Sequence, residues 1–74
     1  MKPTVWIDAD ALPRAIKDVL VRASRRRFVP LILVANRVQH VPRASLVRTV
    51  LVAKGPDAAD DHIAEHAQVG DLVV

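Results

Sequence analysis

Mostly apolar runs alternate with amphipathic stretches along this chain, and that alternation predicts its secondary structure. Four short apolar runs, typical of buried β-strands, lie at residues 5–7, 31–35, 46–52 and 71–74. From Asp10 to about Arg27, apolar residues recur every three or four positions, which predicts one face of an amphipathic helix. That face consists of Leu12, Ala15, Ile16, Val19, Leu20 and Ala23.

A second helix is predicted over residues 58–68, between the third and fourth strands. Asp57 is a good N-cap residue, and Gly70 ends the helix. The side chains expected to face inward are Ala59, Ile63, Ala67 and Val69.

The order strand, helix, strand, strand, helix, strand predicts an α/β fold with three layers and a mostly parallel, Rossmann-like sheet. The third strand contains Arg48 and is expected nearer an edge of the sheet. Residues 1–74 read as a single partial domain of about four strands and two helices, because the pattern resembles the first half of a larger α/β domain. We therefore expect the strand at residues 72–74 to be frayed or paired with another chain.

Asp8 and Asp10 follow the first strand, at the point where a helix begins. Ligands of open α/β sheets bind outside the carboxyl ends of the strands. Two carboxylates about 4 Å apart repel by roughly 4 kcal/mol at an effective dielectric near 20, and a cation between them would remove that repulsion. Mg²⁺ or Mn²⁺ suits such a pair, since both prefer oxygen ligands and keep several waters. The structural alternative is that Asp10 only caps the helix.

A second acidic cluster opens the second helix. Asp57, Asp61 and Glu65 are spaced by four and share a face, with Asp60 beside it. Acids stabilise a helix start without any chemistry. The functional alternative is that Asp60 or Asp61, with Asp61 slightly preferred, completes the Asp8 and Asp10 site.

His62 and His66 fall in a literal H-x-x-E-H sequence, the inverted zinc-peptidase pattern. The chain offers no clear third zinc ligand and is too short for a peptidase domain. Two surface histidines on a polar helix explain the same letters, and a zinc site is not expected.

Composition limits the cellular location, the kinds of metal site and the partners that we expect for the protein. The net charge is +3, and cysteine is absent, so disulfides and thiolate metal sites are excluded. Neither a bilayer-spanning run nor a signal peptide is recognisable, which predicts a cytoplasmic protein that does not enter membranes. Basic residues dominate positions 14–54 and suit a phosphate-bearing partner such as RNA. Arg14, Arg37 and Arg43 are candidate phosphate ligands, although each alone also reads as a solvated surface charge.

Several motifs together resemble the bacterial YaiI/YqxD family. They are the strings at residues 6–13, 34–36, 48–50, 55–61 and 70–74: WIDADALP, VAN, RTV, GPDAADD and GDLVV. Members are about twice this length, and the family is grouped with PIN-like and NYN-like domains, many of which are metal-dependent ribonucleases. The resemblance implies a PIN-like fold and points to Asp8 and Asp10 as first-strand acids and to Asp60 or Asp61 as the helix acid.

Two departures from the family pattern stand out. Leu12 replaces a usual cysteine, and the family continues beyond the fourth strand with a Thr-x-Asp-type turn that supplies another acid. The resemblance therefore implies a nuclease-like site that is incomplete in these 74 residues.

Three interpretations of the chain follow from these observations. The first is metal-dependent hydrolysis of RNA, with Asp8, Asp10 and Asp61 catalytic and holding Mg²⁺ or Mn²⁺ together with Asp60. The second is a binding module for RNA or a protein, including self-association through the exposed sheet. The third is an inactive truncated product.

Overall fold

Four parallel strands form one sheet, with a helix packed on each of its faces. The computed structural model describes residues 3–39, 41, 44–55 and 57–74. The strands, in chain order, are β1 (Val5–Asp8), β2 (Leu31–Ala35), β3 (Val47–Leu51) and β4 (Leu72–Val73). The helices are a 3₁₀ turn (Ala9–Ala11), α1 (Arg14–Arg27) and α2 (Ala58–His66). The prediction of an α/β fold with four strands and two main helices is confirmed.

Alternate residues of the central strands face opposite helices. Ile7 of β1 and Leu33 of β2 pack with Val21 of α1 in one buried cluster. Trp6 and its neighbours on the other side pack with Ile63 of α2 in a second cluster. Because strand side chains alternate between the two faces of a sheet, these two clusters place α1 and α2 on opposite sides. The three layers expected from the sequence are therefore present.

The strand order is β3-β2-β1-β4, so the chain crosses from one side of β1 to the other between β3 and β4. This order matches the first four strands of a doubly wound sheet, whose ligand crevice lies where the order reverses. The reversal falls between β1 and β4. The first strand therefore ends at the place where α/β proteins usually bind ligands.

β1 extends one residue further than the predicted run, to Asp8, and α1 begins later than the sequence suggested. Residues from Ala9 to Ala11 form a 3₁₀ turn, and α1 starts at Arg14 with Pro13 at its N-cap position. The expectation that the helix begins at Asp10 is wrong. Asp10 therefore does not cap α1, because its carboxylate lies a turn too early and bonds elsewhere.

The buried face of α1 also differs from the predicted one. Val21 and Ser24 are buried, whereas Ile16 and Val19 are 46% and 52% exposed. Ser24 can be buried because its Oγ donates a hydrogen bond to the carbonyl of Val29. Of the six predicted apolar positions, Leu12 and Leu20 pack against the core, and Ala15 and Ala23 are exposed like Ile16 and Val19. Apolar spacing alone misjudged the rotation of this helix.

α2 packs as predicted through its first two turns and then ends early. Ile63 is buried, with Ala59 and Ala67 beside it. Ala67 has an extended backbone, so the helix stops at His66 and leaves Val69 fully exposed. The expected inward position of Val69 is therefore wrong. Asp57 occupies the N-cap position but makes no side-chain capping bond.

β3 and β4 form the two edges of the described sheet, as expected for β3. β4 pairs with β1 through bonds from the Leu72 N–H to the Thr4 carbonyl, 3.0 Å, and from the Val74 N–H to the Trp6 carbonyl, 2.8 Å. The Leu72, Val73 and Val74 side chains remain 59%, 61% and 51% exposed. β4 is thus hydrogen-bonded along one edge while its side chains stay open to solvent.

Neither α1 nor α2 has the length and apolar character of a membrane-spanning helix. Within the described part of the chain, the structure contains no such segment.

Candidate functional site

A cavity of about 220 Å³ opens at the carboxyl end of the sheet. The segments following β1 and β2 supply its polar side, and the loop after β3 and the start of α2 supply the apolar side. Its described lining residues are Asp8, Asp10, Ala11, Asn36, Val52, Gly55, Ala58 and Ala59. The cavity therefore brings together both acids that the sequence singled out after β1.

Asp8 is the last residue of β1 and lies on the α2 side of the sheet, because it is two residues beyond Trp6. Its side chain is half-buried and makes no hydrogen bond or ion pair with any described residue. Its backbone N–H reaches the Val74 carbonyl at 3.4 Å. The strand thus fixes the position of Asp8 while its carboxylate keeps its acceptor sites towards the cavity.

Asp10 is engaged much more closely than Asp8. Its Oδ2 accepts the backbone N–H of Asn36 at 2.6 Å, and its Oδ1 accepts a bond from Gln39 Nε2 at 3.3 Å. Arg37 Nε lies 3.8 Å from the same Oδ1. The Lys17 ammonium donates in turn to Gln39 Oε1. Asp10 therefore ties the 3₁₀ turn to the segment that follows β2, which gives this carboxylate a structural role in the fold.

The acids of α2 lie outside this set. Asp60 and Asp61 are both exposed in the first turn of the helix, and α2 lines the cavity with Ala58 and Ala59 instead. Within the described residues, no three His, Cys, Asp or Glu side chains form a group that could hold a metal ion. The structure thus brings Asp8 and Asp10 together and leaves both helix acids at the surface.

Of the three arginines expected to contact phosphate, Arg37 is the one that the structure brings to the acidic pair. Its side chain is 74% exposed, and its guanidinium faces Asp10. Arg14 is the exposed first residue of α1. Arg43 lies outside the described residues.

The two histidines of α2 interact with each other and with the core tryptophan. Their rings stack with centroids 4.1 Å apart, and Nδ1 of His66 lies 2.8 Å from the carbonyl oxygen of His62. The His62 ring is tilted against Trp6 at 6.2 Å. The spacing of four residues along α2 places the two rings in this stack.

Asp71 is a structural acid that sequence reasoning passed over. Its carboxylate accepts bonds from the backbone N–H groups of Gln68 and Thr4 and from the indole of Trp6, at 2.9, 3.0 and 2.9 Å. The backbone bond from Gln68, followed by those from Thr4 and Trp6, lowers the pKa of Asp71 below its ordinary value. Gly70-Asp71 signals a turn in the sequence, but two of the three partners of Asp71, Thr4 and Trp6, lie more than sixty residues away.

Comparison with known proteins identifies the family. The chain matches, over residues 6–74, the model of a family described as "Uncharacterized BCR, YaiI/YqxD family". It is 60% identical over 70 residues to a UPF0178 protein of Geobacter sulfurreducens and 53% identical over 70 residues to one of Bordetella avium. In both cases the match covers 95% of this chain and 46% of the relative.

The chain spans about half the length of the curated relatives it matches. No solved structure matches it. The match of family and relatives over almost all of these residues agrees with the resemblance carried by the motifs around Asp8 and Asp57. The chain belongs to the YaiI/YqxD family of bacterial proteins.

Proposed function

We propose that Asp8 and Asp10 hold Mg²⁺ or Mn²⁺ and that the protein hydrolyses phosphodiester bonds of RNA. The observation that supports this most is the contrast between the two carboxylates. Asp10 is bonded to three residues after β2, whereas Asp8 lines the same cavity with no bonding partner among the described residues. An unpaired carboxylate beside a fixed one can accept a cation without dismantling the fold.

The donor set fits a partly hydrated cation. Mg²⁺ keeps several waters and is bound through one or two carboxylates together with substrate phosphate. A cavity of about 220 Å³ has room for such waters, since one water occupies about 30 Å³ in the liquid. When bound, the metal would activate a water and stabilise charge on the phosphate.

The remaining polar residues support the metal and the substrate. Arg37, already beside Asp10, would exchange that contact for a phosphate oxygen, because its forked donors match phosphate geometry. Arg14, exposed at the start of α1, is a second phosphate ligand, and Arg43 stays a prediction from the sequence. Asp60 and Asp61 are exposed on α2 outside the described cavity lining, so their part in holding the metal stays a prediction from the sequence.

Metal binding is tested by titrating Mn²⁺ into the parent and into Asp8→Asn, with heat and proton relaxation as readouts. We expect Asp8→Asn to weaken binding by at least roughly tenfold, because replacing even an outer-shell partner of a metal ligand costs about ten- to a hundredfold. Glu65→Gln removes the same charge from an exposed acid outside the described cavity lining and should leave binding unchanged. Equal titrations for the parent and Asp8→Asn would exclude this site.

Turnover is tested on labelled single-stranded RNA with Mn²⁺ and, separately, with EDTA. The proteins compared are this chain, its Asp8→Asn variant and the full-length relative from Geobacter sulfurreducens. Metal-dependent cleavage by the relative, abolished by replacement at the position aligned with Asp8, supports hydrolysis. Metal-independent cleavage, or none, contradicts it.

A second candidate is a non-catalytic module that binds RNA or a protein. The bonds of Asp10 to Asn36, Gln39 and Arg37 favour it, because they explain why an acid is needed there without invoking a metal. Such a module would bind its partner equally well in Mn²⁺ and in EDTA and would show no turnover.

A further inference from the structure

The outward face of α1 combines cations with an apolar floor. Four residues share one face of α1, because each lies three or four positions from two of the others. They are Val19, Arg22, Ala23 and Arg26. Together with Arg25 and Arg27 they line an open groove of about 780 Å³. This is the face that the sequence pattern had expected to be partly buried.

A second recess, of about 350 Å³, lies next to the groove, and Arg25 lines both. The second recess is lined also by Phe28, Ala44, Ser45 and Leu46. Phe28 is 71% exposed and follows α1 in the left-handed backbone conformation, with φ 55°. We call these two recesses, with Arg22, Arg25, Arg26 and Phe28 as their main groups, the arginine surface.

The arginine surface lies at the opposite end of the sheet from Asp8 and Asp10. α1 ends just before β2 begins, and residues 44–46 directly precede β3. Both elements therefore meet at the amino ends of the parallel strands, whereas the acidic cavity lies at their carboxyl ends. The arginine surface and the acidic cavity therefore lie at opposite ends of the sheet.

The charges of Arg22, Arg25 and Arg26 are not balanced by any described acid. Arg22, Arg25 and Arg26 form no ion pair with any described residue, and no described acid lines either recess. Cations in the last turn of a helix stabilise its dipole. That effect does not explain why the apolar side chains of Val19 and Ala23 lie exposed among these cations. Like charges so close together also repel, which a bound anion would relieve.

We propose that the arginine surface binds single-stranded nucleic acid. The guanidinium groups would take the phosphates, and the bases would lie on the Phe28 ring and on the floor formed by Val19 and Ala23. Combining a cationic groove with an exposed aromatic ring is how proteins bind single strands without reading their sequence. A duplex fits less well, because its bases are stacked and cannot reach the ring. The surface shares RNA with the proposed function as a ligand but uses none of the acidic residues.

The test is fluorescence anisotropy of a labelled short oligouridine, measured in EDTA so that a metal site plays no part. Arg22→Gln/Arg26→Gln should weaken binding and flatten its salt dependence. Losing two phosphate contacts lowers the slope of log affinity against log salt by about 1.4, at about 0.7 per contact for single strands. Arg48→Gln/Lys54→Gln removes the same charge from exposed residues outside the surface and should change the slope much less.

The aromatic contact is tested separately with Phe28→Asn. Asparagine tolerates the left-handed backbone at this position, so the loop is kept while the ring is removed. We expect a loss of roughly tenfold in affinity, as for one stacked base, with the salt slope unchanged. Equal weakening by the control pair would overturn the site in favour of general charge attraction. Binding to vesicles of anionic lipid without binding to oligouridine would overturn it in favour of a lipid surface. A result that excludes RNA hydrolysis at the acidic cavity would not affect this test, because binding is measured in EDTA and involves none of the acidic residues.

Discussion

The carboxylate of Asp10 accepts the backbone N–H of Asn36 at 2.6 Å, across 26 residues of sequence. This bond joins the turn that leaves β1 to the first residue after β2, and both segments line the candidate site. The geometry of the cavity therefore depends on one of the two acids proposed to serve it. Replacing that acid should affect stability as well as metal binding.

We expect Asp10→Ala to lower the free energy of unfolding by about 1–3 kcal/mol, because it leaves the Asn36 N–H without its partner. Asp10→Asn should cost less, since an amide oxygen can still accept that bond. Urea unfolding followed by circular dichroism measures both. Similar losses for the two variants would show that the charge beside Arg37, and not the bond to Asn36, holds the loop.

Asp71 should make the stability of the protein depend on pH in the acidic range. Bonds from Gln68, Thr4 and Trp6 lower its pKa in the folded state, so its contribution is present above the ordinary pKa. That contribution is lost as the pH falls through the lowered folded value, because the unfolded chain takes up the proton first. Asp71→Asn should therefore be less stable than the parent at neutral pH, with the difference shrinking towards low pH.

Thermal unfolding of the parent and Asp71→Asn across the acidic range measures this effect. Asp57→Asn is the matched control, since Asp57 is exposed and makes no side-chain capping bond. A constant difference between the parent and Asp71→Asn at every pH would contradict the assignment.

We propose that the outer edge of β4 mediates weak self-association. Its backbone pairs with β1 on one side only among the described strands, and Leu72 and Val73 are largely exposed. Open strand edges of this kind pair with other chains. Sedimentation should therefore show concentration-dependent association, which Val73→Lys reduces.

Val69→Lys is the matched control for the edge, because Val69 is fully exposed but lies outside β4. Amide exchange at residues 72–74 gives a second measurement. A monomer at all concentrations with strongly protected amides in this strand would exclude association through β4.

Given the proposed function, these 74 residues by themselves are expected to cleave RNA far more slowly than a full-length relative. Two-metal hydrolysis needs enough anionic ligands to hold both ions and the water, and the described cavity offers two carboxylates. Misplacing a reacting group by about 1 Å can cost roughly a hundredfold in rate. Asp8-dependent cleavage by this chain at the rate of the relative from Geobacter sulfurreducens would contradict the expectation.

Local pattern was enough to predict the layers of this fold and the position of the first acids. The uncharged run at Leu31–Ala35 became β2 without a change of boundary. Asp8 follows Trp6 and Ile7, which are apolar enough to be buried on both faces, so its place at a strand end was readable from the sequence. Burial of uncharged runs depends mainly on the residues themselves, which is why these features needed no further information.

Tertiary contacts decided the rotation of α1 and the state of each carboxylate. Ser24 turns inward because Val29 accepts its hydroxyl, and Asp10 leaves the helix start because Asn36 offers it an N–H. Asp71 is fixed by Thr4, 67 residues away. Periodicity measures where apolar residues recur, but a polar side chain can be buried wherever a partner from elsewhere in the chain satisfies it. The partners of Asp10 and Asp71 come together only once the strands are assembled, so the sequence determined the framework and the folded structure determined the chemistry of its acids.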